Sequence, residues 1–289
     1  MVKLLIDADV LVYKAGLSCE KLLLAEEELT EEESAQGYII ENFTDKNGKH
    51  KRFKVGPAPF AFSLCKKIIC KLLTKFNTTE YQLYLTSTDN SNFRFDIATI
   101  KGYKANRLGS KKPFHYYEIR DYLIKYWSAI VVTGMEADDA ISIAAHSIGG
   151  LPCSIDKDFN TFSVVTYNWE KDRLLDGSKP FLELVRNKGK TCTLLGSGLL
   201  YFCAQLLLGD NADNIPGLDG YGPVKVYEVL KDSHSFEEGI KIVYTEYKKK
   251  LVQTHTELEV KQRLVEVAKL LWIKRKEGKE EIFPLEWLS

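Results

Sequence analysis

The stretch from Met135 to Phe159 holds five carboxylates in two groups, separated by an apolar, alanine-rich segment. They are Glu136, Asp138, Asp139, Asp156 and Asp158. Like charges a few ångströms apart do not all stay ionised unless a positive charge lies between them. A divalent metal ion is the usual source of that charge, and oxygen ligands suit Mg²⁺ or Mn²⁺. The stretch therefore predicts a metal site.

Further acids follow other predicted elements. Asp7 and Asp89 each end an apolar run of the kind that forms a buried strand, and Asp210 and Asp213 follow a predicted helix. The carboxyl ends of parallel strands meet at one edge of an open sheet, so we expect these acids to converge. Any one of them could be only a helix cap or a loop residue, and it is the whole set that indicates metal binding.

A cluster of this composition is suited to the hydrolysis of phosphodiester bonds. Two metal ions roughly 4 Å apart activate a water and stabilise the attacking and leaving oxygens. No separate general base is then required, and the sequence offers no evident Ser-His-Asp or Cys-His arrangement. We therefore expect two ions of Mg²⁺ or Mn²⁺ and a phosphate-ester substrate.

A basic and aromatic segment around Gly102–Pro113 follows the acid at position 89. Its cations are Lys101, Lys104, Arg107, Lys111 and Lys112. At helical spacing Lys104 and Arg107 share one face, from which they would hold a phosphate near the metals. Aromatic side chains suited to stacking on unpaired bases are interleaved with the cations. They are Tyr103, Phe114, His115, Tyr116 and Tyr117. The alternative is a solvated helix face with core aromatics.

The segment Gly217–Lys225 contains three glycines and a proline that fits the first position of a helix. Backbone amides in such a turn bind phosphate, and a lysine would add positive charge. The residues assigned to this site are Gly217, Gly220, Gly222 and Lys225. A tight connection without a ligand is the alternative.

Strand and helix signals alternate up to Gly189, which predicts an α/β fold with a mostly parallel central sheet and flanking helices. The expected strands are Lys3–Asp7, Tyr81–Asp89, Ile130–Gly134, Leu151–Asp156 and Phe162–Trp169. Helices are expected over Phe60–Phe76 and Ser197–Leu208. The pair Asn47-Gly48 predicts a hairpin with a type I′ turn.

The net charge of the chain is zero, but its distribution is uneven. From Lys46 to Lys112 there are 15 Lys and Arg residues against three acids, a local excess of 15 − 3 = +12. A basic region beside an acidic metal site suits a phosphate backbone. The six cysteines form no C-x-x-C pair, which favours reduced thiols in the cytosol.

Membrane association is not expected. The 19 residues Thr191–Gly209 carry no charge, but their glycines favour a strand followed by a buried helix over a membrane span. The apolar run before the first acid is too short for a signal peptide.

Taken in order, five motif groups resemble the flap endonuclease and 5′-to-3′ exonuclease family, in particular the exonucleases of bacteriophage replication. They are IDAD, STDNSNFRF with YKANR, MEADD, SIDKDF, and GDNADNIPG with GLDGYGPVK. The resemblance covers nearly the whole chain. It implies that residues 1–190 form a PIN-like nuclease core, which includes a basic gateway helix. It also implies a helical region, residues 191–289, with a helix–two-turn–helix motif that binds duplex DNA.

The resemblance also implies residue roles. The acids of the first metal site are Asp7, Asp89, Glu136, Asp138 and Asp139, and those of the second are Asp156, Asp158, Asp210 and Asp213. The expected catalytic residues are Lys104, Arg107, Asp139 and Asp156. The expected DNA contacts are Tyr103, Lys104, Arg107, Lys111, Lys112, Gly217, Gly220, Gly222 and Lys225. An insertion at Cys19–Val55 and the second acid of the first motif, Asp9, lie outside the family's pattern.

The family implies a monomeric, cytoplasmic nuclease, in the host cytoplasm if the source is a phage. It would need Mg²⁺ or Mn²⁺, with a potassium ion at the glycine turn, and would act on DNA at 5′ ends or flaps and on RNA primers paired with DNA. One alternative is a phosphatase of the haloacid dehalogenase type, whose Asp-x-Asp motif Asp7 and Asp9 resemble. Another is a non-catalytic protein that binds DNA junctions.

Overall fold

A computed structural model describes residues 2–24, 26–189 and 191–278. Its helices are α1 Ala8–Ser18, α2 Glu31–Ala35, α3 Ala58–Lys75, α4 Arg94–Ile97, α5 Tyr116–Trp127, α6 Ala137–Ser147, α7 Gly198–Leu208, α8 Pro223–Leu230, α9 Phe236–Leu251 and α10 Glu257–Leu271. Its strands are β1 Leu4–Asp7, β2 Glu20–Leu23, β3 Ile39–Thr44, β4 His50–Val55, β5 Tyr81–Thr86, β6 Ile130–Val132, β7 Leu151–Cys153, β8 Val165–Asn168, β9 Arg173–Asp176, β10 Phe181–Arg186, β11 Cys192–Ser197, β12 Gly209–Asp210 and β13 Ile215–Pro216. Single 3₁₀ turns cover Ala105–Arg107 and Lys157–Thr161.

The central sheet has the strand order β6-β5-β1-β7-β8-β9, and only its edge strand β9 runs antiparallel to its neighbour. Side chains alternate across the middle strand β1. Leu4 and Ile6 pack with residues of α1, α3 and α5, whereas Leu5 packs on the opposite face with Ile141 of α6. Helices therefore cover both faces, and the predicted α/β class with a mostly parallel sheet is confirmed.

The insertion forms a separate antiparallel sheet of β2, β4 and β3. The hairpin expected around Asn47-Gly48 is present, but its turn differs from the prediction. Five residues, 45–49, connect the strands, and of the central pair only Gly48 has a positive φ, +78°. The Asp45 carboxylate accepts the backbone N–H groups of Asn47 and Lys49, both at 3.0 Å. A type I′ turn needs two positive φ values, so that prediction is wrong.

The uncharged segment Thr191–Gly209 is β11 followed by α7, as expected. Helix α7 is the centre of a second core that α8, α9 and α10 surround, and Cys203, Leu206 and Leu207 on it are fully buried. Within the described residues, no helix has both the length and the apolar character needed to cross a membrane.

The division expected at residue 190 falls in the connection between β10 and β11, which pair along six residues. In addition, Tyr103, from the first part, packs in the core around α7. Residues 1, 25, 190 and 279–289 of the two expected domains lie outside the described residues. The division into two domains therefore remains a proposal.

Candidate metal and nucleic-acid site

A cavity of about 710 Å³ lies where β1, β5 and β7 end and where α1 and α6 begin. Eight carboxylates line it: Asp7, Asp9, Glu136, Asp138, Asp156, Asp158, Asp210 and Asp213. Four cations line it as well: Lys14, Lys104, Arg107 and Lys157. Seven of the nine predicted metal ligands thus line one cavity, and Asp89 and Asp139 do not.

Asp7 is placed by the junction of β1 and α1. Its carboxylate caps α1 by accepting the N–H of Val10 at 3.3 Å, and its Oδ2 accepts the Ser154 hydroxyl at 2.7 Å. Burial, reinforced by the negative charge of Asp9, raises the pKa of Asp7 to about 7. Desolvation and like-charge repulsion together outweigh the hydrogen bonds that favour the ionised form.

Asp156 and Asp158 follow β7. Asp156 caps the 3₁₀ turn by accepting the N–H of Asp158 at 3.0 Å, and Gln205 of α7 donates to Asp158 Oδ1 at 2.9 Å. Burial and the neighbouring Asp156 charge raise the pKa of Asp158 to about 7. This part of the cavity therefore favours added positive charge.

Asp138 lies in the first turn of α6. Burial, followed by the charges of Asp139 and Glu136, raises the pKa of Asp138 well above its usual value. Its hydrogen-bond donor is the backbone N–H of Asp139, at 2.7 Å. Among the described residues, four cavity acids have no cationic group at ion-pair distance: Asp7, Asp138, Asp156 and Asp158.

The other acids of the cavity are already paired with cations. The Lys104 ammonium contacts Glu136 and lies 3.7 Å from Asp213, which Arg107 also contacts. The Tyr103 hydroxyl oxygen lies 2.7 Å from a Glu136 oxygen and 2.9 Å from an Asp213 oxygen, so its single hydrogen is shared between the two carboxylates. Although burial opposes ionisation, Lys104 and then Arg94 hold the pKa of Glu136 down at about 2.

Asp210 is likewise neutralised inside the cavity. Its Oδ2 accepts the Lys157 ammonium at 2.8 Å, and its Oδ1 accepts the N–H of Ala212 at 2.8 Å. The acids of the cavity therefore fall into a paired set and an unpaired set, and the unpaired set has the greater need for an added cation.

The structure places Asp139, predicted as a metal ligand and catalytic residue, outside the cavity. Its side chain is fully buried and accepts both Nη atoms of Arg94, at 2.6 and 2.9 Å. The backbone N–H groups of Glu136 and Lys274 also donate to it, at 3.1 and 3.0 Å. With both oxygens occupied by these four bonds, Asp139 fixes the first turn of α6 and does not face the cavity.

The structure also places Asp89, predicted as a metal ligand, outside the cavity, because β5 ends at Thr86 and Asp89 lies on the exposed surface beyond it. Its Oδ1 accepts the N–H of Ser91 at 3.0 Å. At the end of β5 the carboxylate that lines the cavity is instead that of Asp9, which belongs to α1. It accepts the N–H of Thr86 at 3.0 Å and contacts Arg120 at 3.3 Å.

The basic loop, residues 99–114, is not the helix that its spacing suggested. It contains one 3₁₀ turn, Ala105–Arg107, preceded by Lys104 in the left-handed region at φ +54°. Lys104 and Arg107 still converge, because both bind Asp213. Hydrogen bonds to main-chain carbonyls fix the loop to the segment after α7. The backbone N–H of Lys104 donates to the Asp213 carbonyl, and the side-chain Nε of Arg107 donates to the Ala212 carbonyl, both at 2.9 Å.

The other predicted DNA contacts of this segment have different environments. The Tyr103 ring is 4% exposed, so in this conformation it cannot stack on a base. The Lys111 ammonium forms ion pairs on the side of the loop that faces the insertion. The Lys112 ammonium lies over the rings of Tyr116 and Tyr117, 4.5 and 5.5 Å from their centroids.

Tyr13 is a candidate that the sequence analysis missed. It lies on α1, lines the cavity and is 41% exposed, with its ring edge-on to Tyr116 at 5.6 Å. The available signal was its position four residues after Asp9, which places both on one face of the helix that follows the first acidic strand end.

The glycine turn connects α7 to α8 through the short ribbon of β12 and β13. The predicted helix start is confirmed, since α8 begins at Pro223 with Gly222 as its cap. Gly220 has φ +82°, and a Cβ on Gly217 would lie 2.3 Å from the Leu208 carbonyl oxygen. The Lys225 ammonium lies 3.6 Å from the centroid of the Tyr221 ring. The turn thus requires glycine at positions 217 and 220.

The donor set suits a hard divalent cation. As the side chains lie here, no three carboxylate, imidazole or thiol groups among the described residues are close enough together to hold an ion. The four unpaired acids nevertheless offer only oxygen, and burial and mutual repulsion raise the pKa of Asp7, Asp138 and Asp158. Small side-chain movements toward a shared cation would relieve that repulsion.

Comparison with known proteins finds a solved structure of the same fold. No protein-family model and no curated protein sequence matches the chain. A crystal structure of the bacteriophage T5 D15 protein with metal ions matches with a TM-score of 0.54, covering 93% of this chain and 88% of that one at 13% identity. The chain has the fold of the D15 protein. The flap endonuclease and exonuclease resemblance of the sequence is thereby confirmed at the level of the fold.

Two other structures match more weakly than this one. The bacteriophage T5 D15 flap endonuclease in a complex with DNA and metal ions has a TM-score of 0.46 and 14% identity, covering 73% of this chain and 82% of that one. The catalytic core of Rad2 with a DNA substrate has a TM-score of 0.43 and 13% identity, covering 98% and 82%.

Proposed function

We propose that this protein is a divalent-metal-dependent nuclease that hydrolyses phosphodiester bonds in DNA at 5′ ends or flap junctions. The observation that carries the proposal is the cavity, where four unpaired carboxylates and the cations of one basic loop face each other in a D15-like fold. The unpaired acids suit a metal, and the cations suit the phosphate that the metal would act on.

The unpaired acids Asp7, Asp138, Asp156 and Asp158 would hold the ions, Mg²⁺ or Mn²⁺. When bound, such ions lower the pKa of a water and neutralise charge on the reacting phosphate. The paired acids Glu136, Asp210 and Asp213 would join them once their cations turn toward substrate. We propose that two ions are held in all.

Lys104 and Arg107 would donate to the phosphate at the cleaved bond. Both line the cavity, and both now contact carboxylates that a metal would neutralise. Transferring them to a phosphate exchanges one anionic partner for another, so neither the partly buried Lys104 nor the half-exposed Arg107 is left without a counter-charge. Tyr103 keeps Glu136 and Asp213 in position throughout, because its hydroxyl bonds both.

Duplex DNA would contact the glycine turn. Gly220 and Gly222 are exposed beside Lys225 at the N-terminus of α8, an arrangement that suits a backbone phosphate and a potassium ion. The exposed ring of Tyr13 would stack on a base next to the cleaved bond. The function in phage replication, removal of RNA primers, a monomeric state and a cytoplasmic location are further parts of the proposal and follow from the family resemblance.

Product length tests the reaction. Flap, nicked and blunt duplexes labelled at the 5′ end are incubated with Mg²⁺ and with EDTA. Mononucleotides would identify an exonuclease, and a whole released flap would identify a structure-specific endonuclease. Absence of products from all three substrates with Mg²⁺ and with Mn²⁺ would contradict the proposal.

The two alternatives give other outcomes in the same assay. A phosphatase would release phosphate from a small ester and leave the DNA intact, and a binding protein would shift the DNA without cutting it. The cations across the cavity favour a polynucleotide over a small ester, and Asp9 already bonds Thr86 and Arg120, which leaves it poorly placed as a phosphatase acid.

A further inference from the structure

The insertion contacts the basic loop through a partly buried group of three charged side chains. Lys111 of the loop lies between Glu20 of β2 and Glu41 of β3, with its ammonium 2.5 and 2.7 Å from their carboxylate oxygens. The side chains of Lys111, Glu20 and Glu41 are 12%, 4% and 20% exposed. We call this group the Glu20–Lys111–Glu41 cluster.

Neighbouring contacts reinforce the cluster. The second oxygen of Glu20 accepts the N–H of Phe114 at 2.6 Å, and the Lys111 ammonium lies 4.8 Å from the centroid of the Phe53 ring on β4. At the tip of the hairpin, Lys46 Nζ donates to the Asn106 carbonyl at 3.3 Å. The insertion therefore holds the basic loop at several points along its length.

The opposite side of the loop is attached to the segment after α7. There Asn106 Nδ2 donates to the Asn211 carbonyl at 2.6 Å, and Asn214 Nδ2 donates to the Gly102 carbonyl at 2.8 Å. Along the chain, Lys104 and Arg107 lie between the attachment at Gly102 and the cluster at Lys111. The loop is thus attached on both sides, to the insertion on one side and to the segment after α7 on the other.

We propose that the insertion is a positioning element for the two cations that face the substrate. Glu20 and Glu41 act through Lys111 to hold the loop, and so Lys104 and Arg107, in place over the cavity before DNA binds. This inference rests on the proposed nuclease function. A loop ordered in advance spares the substrate the entropic cost of ordering it, which improves both binding and the geometry of the reacting phosphate.

The test replaces Lys111 with methionine, which keeps the approximate length of the side chain but leaves the carboxylates of Glu20 and Glu41 without the cation between them. We expect amide hydrogen exchange in residues 99–114 to accelerate about tenfold, because the loop opens more readily. We expect kcat/KM on a 5′-labelled flap to fall about tenfold or more, because misplaced groups lose catalytic efficiency steeply. Lys111→Arg, which keeps the charge, should restore both.

Lys54→Met is the matched control. It removes another lysine of the same inserted sheet, whose partner Glu33 also lies in the insertion. It should leave the exchange of the loop and kcat/KM unchanged. Glu41→Gln is a milder second variant, and thermal unfolding confirms that each variant is folded.

Hydrogen exchange does not depend on nuclease activity, so the two proposals fail separately. Unchanged exchange of the loop in both Lys111→Met and Glu41→Gln overturns the positioning inference, whatever the activity. Faster exchange with unchanged kcat/KM overturns it as well, because the position of the loop would then be irrelevant to the reaction. Absence of cleavage by the unmodified protein rejects the nuclease function, while the exchange experiment still reports on the cluster.

Discussion

Arg94 and Asp139 form a fully buried bidentate ion pair, with nitrogen–oxygen distances of 2.6 and 2.9 Å. The same guanidinium donates to the carbonyls of Leu270 and Trp272, at 3.0 and 2.7 Å. The pair therefore joins the N-terminal end of α6, where two cavity acids lie, to the C-terminal end of α10. An acid of the sequence motif thus forms its contacts with the surrounding fold and not with the cavity.

This relationship predicts a large loss of stability for Asp139→Ala. The variant leaves the buried Arg94 charge without its main partner, which typically costs about 3–5 kcal/mol. Denaturant unfolding monitored by circular dichroism measures the change. Asp156→Asn, which removes an unpaired cavity acid, should cost far less or stabilise the metal-free protein. Equal losses in the two variants would refute the distinction between structural and metal-binding acids.

The raised pKa of Asp7 predicts how stability depends on pH without metal. A carboxyl with a folded pKa of about 7, above its usual value of 3.8, binds its proton more tightly in the folded state. The free energy of unfolding should therefore fall as pH rises from about 4 to about 7, by on the order of 2–4 kcal/mol from this group. Asp7→Asn should flatten the profile in urea titrations with EDTA. A profile identical to that of the unmodified protein would contradict the assignment.

Lys104→Met should reduce catalysis more than binding. The ammonium faces the cavity and is expected to stabilise charge on the reacting phosphate, a contribution worth about 10²-fold in rate. Single-turnover cleavage of a flap substrate at saturating enzyme measures the step. Lys179→Met removes an exposed lysine of a surface ion pair and serves as the control. A rate for Lys104→Met within twofold of the unmodified protein would exclude this role.

Lys225→Ala should weaken binding to duplex DNA irrespective of its sequence. Loss of one phosphate contact reduces the slope of log K against log salt by about 1. Fluorescence anisotropy in Ca²⁺ at several salt concentrations gives the slope. An unchanged slope would show that the glycine turn does not bind the backbone.

Much of the architecture followed from local patterns in the sequence. Apolar runs that end in an acid predicted the parallel strands and brought Asp7 and Asp156 to one edge of the sheet, because that pattern reports burial and chain direction together. The start of α8 at Pro223 followed from the fixed φ of proline.

The errors arose where structure depends on distant partners. Nothing near Asp139 in the sequence indicates Arg94, which is 45 residues away. Asp89 was misplaced because β5 ends at Thr86, whose N–H is bound by Asp9 from another element. The basic loop contacts Asp213 and the insertion, both distant in the sequence, so helical spacing alone could not describe it.

The central claim is that unpaired carboxylates of the cavity bind the metal that cleaves DNA. Its most direct test is single-turnover cleavage of a 5′-labelled flap as a function of Mg²⁺ concentration, in the unmodified protein, Asp156→Asn and Asp89→Asn. We predict saturable, Mg²⁺-dependent cleavage in the unmodified protein and in Asp89→Asn, whose altered residue lies outside the cavity. Asp156→Asn should lose about 10²-fold or more. Full activity of Asp156→Asn, or equal losses in the two variants, would contradict the claim.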